Sequence, residues 1–414
     1  MKKNLNVPIT NDSKLLFFLL LLVLLISFPA SAQKKSFRNI HFSQHHFVDT
    51  VKIKIWDGAV IIPVEINGEV RNLMFDAGAE YGFWIGDKEE WMKASGVSLT
   101  VIDSQKSRMK KALTRFPPIK MGNLVIENYP MVVDNSLRDY VCDRIDGAFG
   151  FDLSVCGLIF KFDTKDSLMI VTDRKGFFSK EERRQPTLKY KWYHQTHPLV
   201  WVQFPFGRFK ILFDSGAIGG EIDLSEDYVS RLTKANPEMR QKIDEYTVLK
   251  DTTVITSAGL FGAPNNSTPY RILHCPDVDL GGLTLKDVWV STDKHLSKIG
   301  STILEYNSLI INGNKRHLVL LPHDGKRVQN LGNEDKRGLK FVPTDTSDTL
   351  GVLKAIVRKD GEAYRKGIRT GYYLVSVNGV PITDYCTYLN LVEAEKVQRH
   401  AYRTPEGEII EVVW

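Results

Sequence analysis

Two aspartates in this 414-residue chain each follow a run of apolar, strand-forming residues and precede a turn of small residues. One lies in Leu73-Met74-Phe75-Asp76-Ala77-Gly78-Ala79 and the other in Ile211-Leu212-Phe213-Asp214-Ser215-Gly216-Ala217. A carboxylate placed directly after buried strand residues is partly desolvated, and an isolated charge in that position is costly. Two such carboxylates brought together repel when both are ionised, so the pair holds one proton between them. One member is then a base that can take a proton from water, and the other an acid that can hydrogen-bond a carbonyl oxygen, which is the chemistry of peptide hydrolysis. Gly78 and Gly216 let each loop turn sharply and approach the other closely, and Ala79 and Ala217 are small enough for the same purpose.

An internal repeat supplies the elements that would position the pair. Ile62-Pro63-Val64-Glu65-Ile66 and the Asn67-Gly68 turn lead into the first Asp, and Val200-Trp201-Val202-Gln203-Phe204 with a Pro205 to Gly207 turn leads into the second. Alternating apolar residues around such turns predict hairpins, so each Asp sits where a strand leaves its sheet. Met121-Gly122-Asn123-Leu124 then matches Leu280-Gly281-Gly282-Leu283, and Phe149-Gly150 matches Ile299-Gly300, with residues 160–171 matching 310–321 at the same offset. The three blocks recur at offsets of 138, 159 and 150, as expected of duplicated units whose surface loops differ in length. Short strands and frequent turn residues make both copies mainly β, with a helix expected over 225–232 and a junction over 176–190. Asp146, Asp152 and Asp163 lack Asp counterparts at the offset of 150, where Leu296, Thr302 and Gly313 stand, so they read as turn or surface carboxylates.

On these motifs the chain resembles retropepsin-like and pepsin-like aspartic peptidases over about residues 50–325. Leu212-Phe213-Asp214-Ser215-Gly216-Ala217 fits the family's apolar-apolar-Asp-Thr/Ser-Gly-Ala pattern, Ala148-Phe149-Gly150 supplies the downstream apolar-apolar-Gly element, and Lys298-Ile299-Gly300 matches it by half. The resemblance implies two acid-protease-like β-barrel lobes, over 33–185 and 186–330, with Asp76 and Asp214 as the catalytic pair. It also implies an extended peptide or protein substrate in the cleft between lobes, under a hairpin lid. Candidate lids are 107–116 and 257–262. Ala77 departs from the family, which has a Ser or Thr hydroxyl there as part of the network tying the loops together. That departure keeps a non-catalytic peptide-binding relative as the alternative. Both Asp loops lie in one chain, so a monomer is expected, with no cofactor.

A different pattern runs over 335–414. Leu350-Gly351-Val352 precedes a strand, Gly367-Ile368-Arg369-Thr370-Gly371 follows a short helix, and Val377-Asn378-Gly379 marks a tight turn. This resembles the small α+β PDZ domains attached to exported bacterial proteases, although Tyr372 replaces the family's usual Asp. The resemblance implies a peptide ligand added as a strand, its carboxylate held by backbone N–H groups near Leu350, Gly351 and Val352.

At the other end, Lys2, Lys3 and Lys14 precede an apolar run over 15–26 that closes in Pro29-Ala30-Ser31-Ala32, which reads as a secretory signal over 1–32 and predicts export to the periplasm or outside the cell. Its removal takes away three Lys and one Asp, so the formal charge falls from +6 to +4. With no basic run interleaved with aromatics, nucleic acid is not an expected partner. Of the four cysteines, Cys142 and Cys156 are close enough in sequence to bridge in an oxidising compartment, but the pairing is open. Neither these cysteines nor His41, His45, His46, His194 and His197 have zinc-site spacing, so no metal is expected.

Overall fold

The computed structural model describes residues 39–103, 107–193, 197–254, 260, 267–293, 296–330, 337–344, 350–359, 361–394 and 398–414. The signal-like segment 1–32, His194 and all of 257–262 except Leu260 lie outside the described residues. No helix among the described residues is long and apolar enough to cross a membrane.

The fold is mainly β, as the alternating apolar pattern predicts. In the first sheet, strands Ala59–Ile66, Glu69–Asp76, Gly147–Gly150, Gly82–Ile85, Pro130–Asp134, Arg108–Arg115 and Lys93–Ile102 lie side by side in that order. In the second, His197–Phe204, Gly207–Phe213, Lys298–Ile299, Ile222–Ser225, Thr284–Asp293, Ser267–Asp279 and Thr247–Val254 do the same. Numbered by chain position, both runs read 1-2-7-3-6-5-4. Both also share one succession of pairings: an antiparallel hairpin, a parallel pair, an antiparallel pair, a parallel pair and two further antiparallel pairs. The two hairpins ahead of the aspartates form where expected. Asn67 and Gly68 both adopt positive φ (52° and 82°), which the two-residue turn between right-twisted strands requires.

The second sheet continues through Thr187–Tyr193, His317–Pro322, Asn307–Asn312, Ile159–Asp163, Leu168–Thr172 and Val48–Lys52, so strands from both halves of the chain share it. At its middle Ile159 faces Asn312 and Phe162 faces Leu309, in antiparallel register. Shifted by 150, residue 162 becomes 312 and residue 159 becomes 309, so the register pairs each end of one strand with the position that the shift assigns to its other end. One hydrophobic cluster, including Phe75, Phe160, Phe162, Phe213 and Ile311, spans both sheets.

The expected 225–232 helix is Glu226–Ala235, starting one residue later, with Ser225 at the cap position in extended conformation. Sequence reading passed over the next helix, Pro237–Tyr246, although Asn236 caps it by accepting from the Met239 N–H at 3.1 Å and Pro237 opens it. The 176–190 junction holds a helical turn, Ser179–Glu182, and the start of Thr187–Tyr193.

The C-terminal sheet runs Leu339–Pro343, Leu353–Val357, Tyr373–Val377, Arg399–Arg403 and Ile409–Val413, with helices Glu362–Arg365 and Tyr385–Ala394 and its own buried cluster. It is bound to the first half of the chain by a disulfide between Cys142 and Cys386, 244 residues apart. This corrects the Cys142–Cys156 pairing weighed from sequence. Cys142 ends the Arg138–Val141 helical turn in left-handed conformation (φ 53°) beside helix Tyr385–Ala394, whereas Cys156 closes a separate turn and remains a thiol.

Candidate functional site

Asp76 is the last residue of Glu69–Asp76, reached through Leu73, Met74 and Phe75, all buried, and Asp214 follows Phe213, also buried, at the end of Gly207–Phe213. Each is fixed by a strand arriving in parallel from far downstream. Gly150 stands opposite Asp76, Ile299 stands opposite Phe213, and the Asp214 N–H donates to the Ile299 carbonyl at 2.9 Å. The glycines of those downstream strands are sterically required. A Cβ on Gly150 would lie 2.7 Å from the Tyr81 carbonyl carbon, and one on Gly300 would lie 2.6 Å from the Gly220 Cα.

The two loops interlock. A Cβ on Gly78 would lie 2.5 Å from the Asp214 Cγ, and one on Gly216 would lie 2.5 Å from an Asp76 carboxylate oxygen. Each carboxylate therefore occupies the space that the other loop's glycine leaves open. The Gly78 N–H donates to Asp76 Oδ1 at 2.7 Å, and the Ala79 and Ala217 N–H groups close their turns onto the Asp76 and Asp214 carbonyls at 3.3 and 3.2 Å. Ser215 Oγ accepts from the Ala77 N–H at 3.0 Å and donates to the Phe75 carbonyl at 2.8 Å, clasping the opposite loop. Ala77, fully buried, has no hydroxyl to return that clasp.

Asp214 is 9% exposed, and Asp76, Gly78, Ala79, Gly216 and Ala217 are partly exposed, so the pair is largely desolvated yet reaches an opening. Burial first, and then the charge of Asp214 beside it, push the Asp76 carboxyl well above the usual carboxylate range. The Gly78 and Ala79 N–H groups oppose that shift without cancelling it. Asp76 thus holds its proton to higher pH than an ordinary carboxyl does.

One buried apolar cluster takes in residues next to both Asp loops. Val97, Leu99 and Val101 alternate along one face of Lys93–Ile102 and pack in the same cluster as Ala79, Ile218 and Leu260. Residues 107–116, a candidate lid, supply the return strand Arg108–Arg115 of that hairpin, whose far end exposes Ile102 (54%) and Met109 (43%). Of the other candidate lid only Leu260 is described, and it packs against the same buried cluster. A cavity of about 450 Å³ lined by Arg71, Trp84, Asp87, Arg138 and Asp146 includes neither aspartate of the pair.

The loop Leu350, Gly351, Val352 leads into Leu353–Val357, which is paired on both sides, so an added peptide strand has no edge there. Its three carbonyls accept from Arg403 Nη1 at 2.8 Å, Thr344 Oγ1 at 2.7 Å and the Thr344 N–H at 2.9 Å. The edge strand on that side is Leu339–Pro343, whose Phe341 ring meets Tyr388 of helix Tyr385–Ala394 at 4.8 Å.

Three features near the pair escaped sequence reading. Asp152, expected at a turn or surface, is fully buried and accepts from the Tyr129 hydroxyl at 2.9 Å. Arg144 reaches across to the C-terminal unit, donating to both Glu393 carboxylate oxygens (2.7 and 2.9 Å) and to Asn390 while lying over the Trp56 ring. Asp57, next to Trp56, offers its carbonyl to the Gly219 N–H at 3.0 Å and Ser301 Oγ at 2.6 Å, which ties this junction to the loop after Asp214. Only the Asp at 152, set directly after the apolar-apolar-Gly element and Phe151, left any trace in the sequence.

No family model matches the chain, and no curated protein matches it.

Proposed function

We propose that this protein is an exported aspartic endopeptidase of two lobes related by internal duplication, with a PDZ-like C-terminal domain. The reading rests on one observation above the others: each carboxylate fills the space of the other loop's missing Cβ, so Asp76 and Asp214 share one site. The matched strand orders and the self-complementary pairing of Ile159–Asp163 with Asn307–Asn312 support the duplication. The apolar run over 15–26 and a disulfide of the kind that persists in oxidising compartments support export.

In this mechanism a water lies between the carboxylates. Asp214 acts as the base and takes its proton as the water oxygen bonds to the peptide carbonyl carbon, and Asp76, whose proton is held more tightly than an ordinary carboxyl's, donates a hydrogen bond to the carbonyl oxygen. The C–N bond then breaks as the amine leaves with the proton held by Asp214. The substrate lies extended beside Val97, Leu99 and Val101, and no cofactor is needed. A peptide ligand of the C-terminal domain would add to the Leu339–Pro343 edge beside Tyr385–Ala394 rather than at Leu350, Gly351 and Val352.

Cleavage of an unfolded protein by residues 33–414, measured across pH, tests the proposal. Activity should persist above the ordinary carboxylate range of about 4 and fall as pH rises through the elevated Asp76 value, because the proton that polarises the carbonyl is then lost. Mixing Asp76→Asn and Asp214→Asn proteins should restore nothing, since the dyad forms within one monomer. Recovery on mixing would overturn the single-chain dyad.

Ala77 favours a second reading, a peptide-binding relative that holds substrate without cutting it, because the clasp is one-sided. Ala77→Ser is expected to stabilise the protein by about 1 kcal/mol in denaturant unfolding. If the native enzyme cuts slowly, the same change should raise kcat.

A further inference from the structure

Beneath Asp76 lies a second buried carboxylate that the peptidase chemistry does not use. Asp152 and Tyr129 are both 0% exposed. The Tyr129 hydroxyl donates to Asp152 Oδ1 at 2.9 Å, and its oxygen accepts from the Gly150 N–H at 2.9 Å. Gly150 is the residue that stands opposite Asp76 in the parallel pair. The phenol also sets the distance to the strand on the other side, because a Cβ on Gly82 would lie 2.6 Å from its ring and 3.0 Å from its oxygen. The Phe149 ring, edge-on at 5.4 Å, holds the tyrosine in place. Burial, and then the neighbouring Asp152, raise the phenol's pKa well above its usual value, so it stays a donor.

A fully buried carboxylate with a neutral phenol for a partner is an expensive way to join two strands. The second aspartate manages without one. At the offset of 150 the counterpart of Asp152 is Thr302, and the Gly300 N–H goes to the Glu221 backbone carbonyl at 2.6 Å. A side-chain relay thus supports Asp76 where a main-chain bond supports Asp214.

We propose that Tyr129 and Asp152 are positioning residues that fix the backbone of Gly150 and thereby the placement of the Asp76 carboxylate against Asp214. The kinetic part of this inference rests on the peptidase reading above; the geometric part does not. The relay acts through the strand pair, so removing it lets Gly147–Gly150 relax and the two carboxylates drift apart.

The test uses the full chain with Tyr129→Phe and Asp152→Asn. Tyr129→Phe should lower kcat about tenfold, leave KM within about twofold, and move the neutral-side limb of the pH profile to lower pH. Asp152→Asn, which keeps an acceptor for the phenol, should retain most of the activity. A lower melting temperature with unchanged kcat and an unchanged pH limb would overturn the proposal and leave the pair a purely structural contact. A second measurement stands apart from activity: carbon-13 NMR titration of the Asp76 carboxyl, in the parent and in Tyr129→Phe. Its proton affinity should fall about tenfold in the variant, and an identical titration would overturn the relay. If the parent cleaves nothing the peptidase reading fails, and the titration still decides the positioning role.

Discussion

Asp214→Asn is expected to lower kcat by roughly a thousandfold while leaving the protein folded and more stable at neutral pH. An amide at 214 cannot take the proton from the attacking water, so the chemical step loses its base. The gain in stability follows from the sign of the Asp76 shift. The folded state holds the Asp76 proton more tightly than the unfolded chain, so stability falls as pH rises from the ordinary carboxylate value through the elevated one. Removing the Asp214 charge removes part of that cost. Steady-state cleavage and thermal melting on the same preparation check both halves. Loss of activity with a lower melting temperature would point to misfolding instead, and full activity would remove Asp214 from the chemistry.

Gly216→Ala carries the second large effect. The added Cβ would fall within 2.5 Å of an Asp76 carboxylate oxygen, closer than packed atoms approach. The obstacle is a carboxyl group already held by the Gly78 N–H, not the mobile tip of a surface side chain. Overpacking there should cost roughly 3 kcal/mol, read from denaturant unfolding. Displacing Asp76 should also lower kcat about a hundredfold or more. Gly68→Ala is the control: a Cβ there meets nothing within 4 Å, so its cost is limited to the strain of a positive φ and should leave kcat unchanged. A near-normal Gly216→Ala protein would mean that the two loops do not interlock.

Much of this architecture was legible because its signals are local and occur twice. The Asn67-Gly68 turn, the apolar triplets before each Asp and the paired glycines all reflect backbone requirements that one residue type satisfies, and the offset of 150 anticipated the register between Ile159–Asp163 and Asn307–Asn312. What was missed depends on contacts between residues far apart in the chain or on a side chain's burial. Nothing near Cys142 marks Cys386 as its partner. Asp152 looks like any turn carboxylate until the fold encloses it beside Tyr129. The loop Leu350, Gly351 and Val352 leads into a strand paired on both sides, and a glycine before an apolar strand does not say whether that strand lies at an edge. Helix Pro237–Tyr246 is a different case: the Asn236-Pro237 start was there to be read, but its polar composition hid it.

The bridge from Cys142 to Cys386 turns most of the chain into a covalent ring. All of the second Asp loop, the charged stretch around 176–185 and the link into the C-terminal sheet lie inside it. On chain-entropy grounds closing a loop of 244 residues is worth about 5 kcal/mol. The ring also changes what a cut does: a break at any point between 142 and 386 yields two polypeptides that still travel as one molecule. Nicked there, the protein would survive as a two-chain form, and would come apart only where reductant is present.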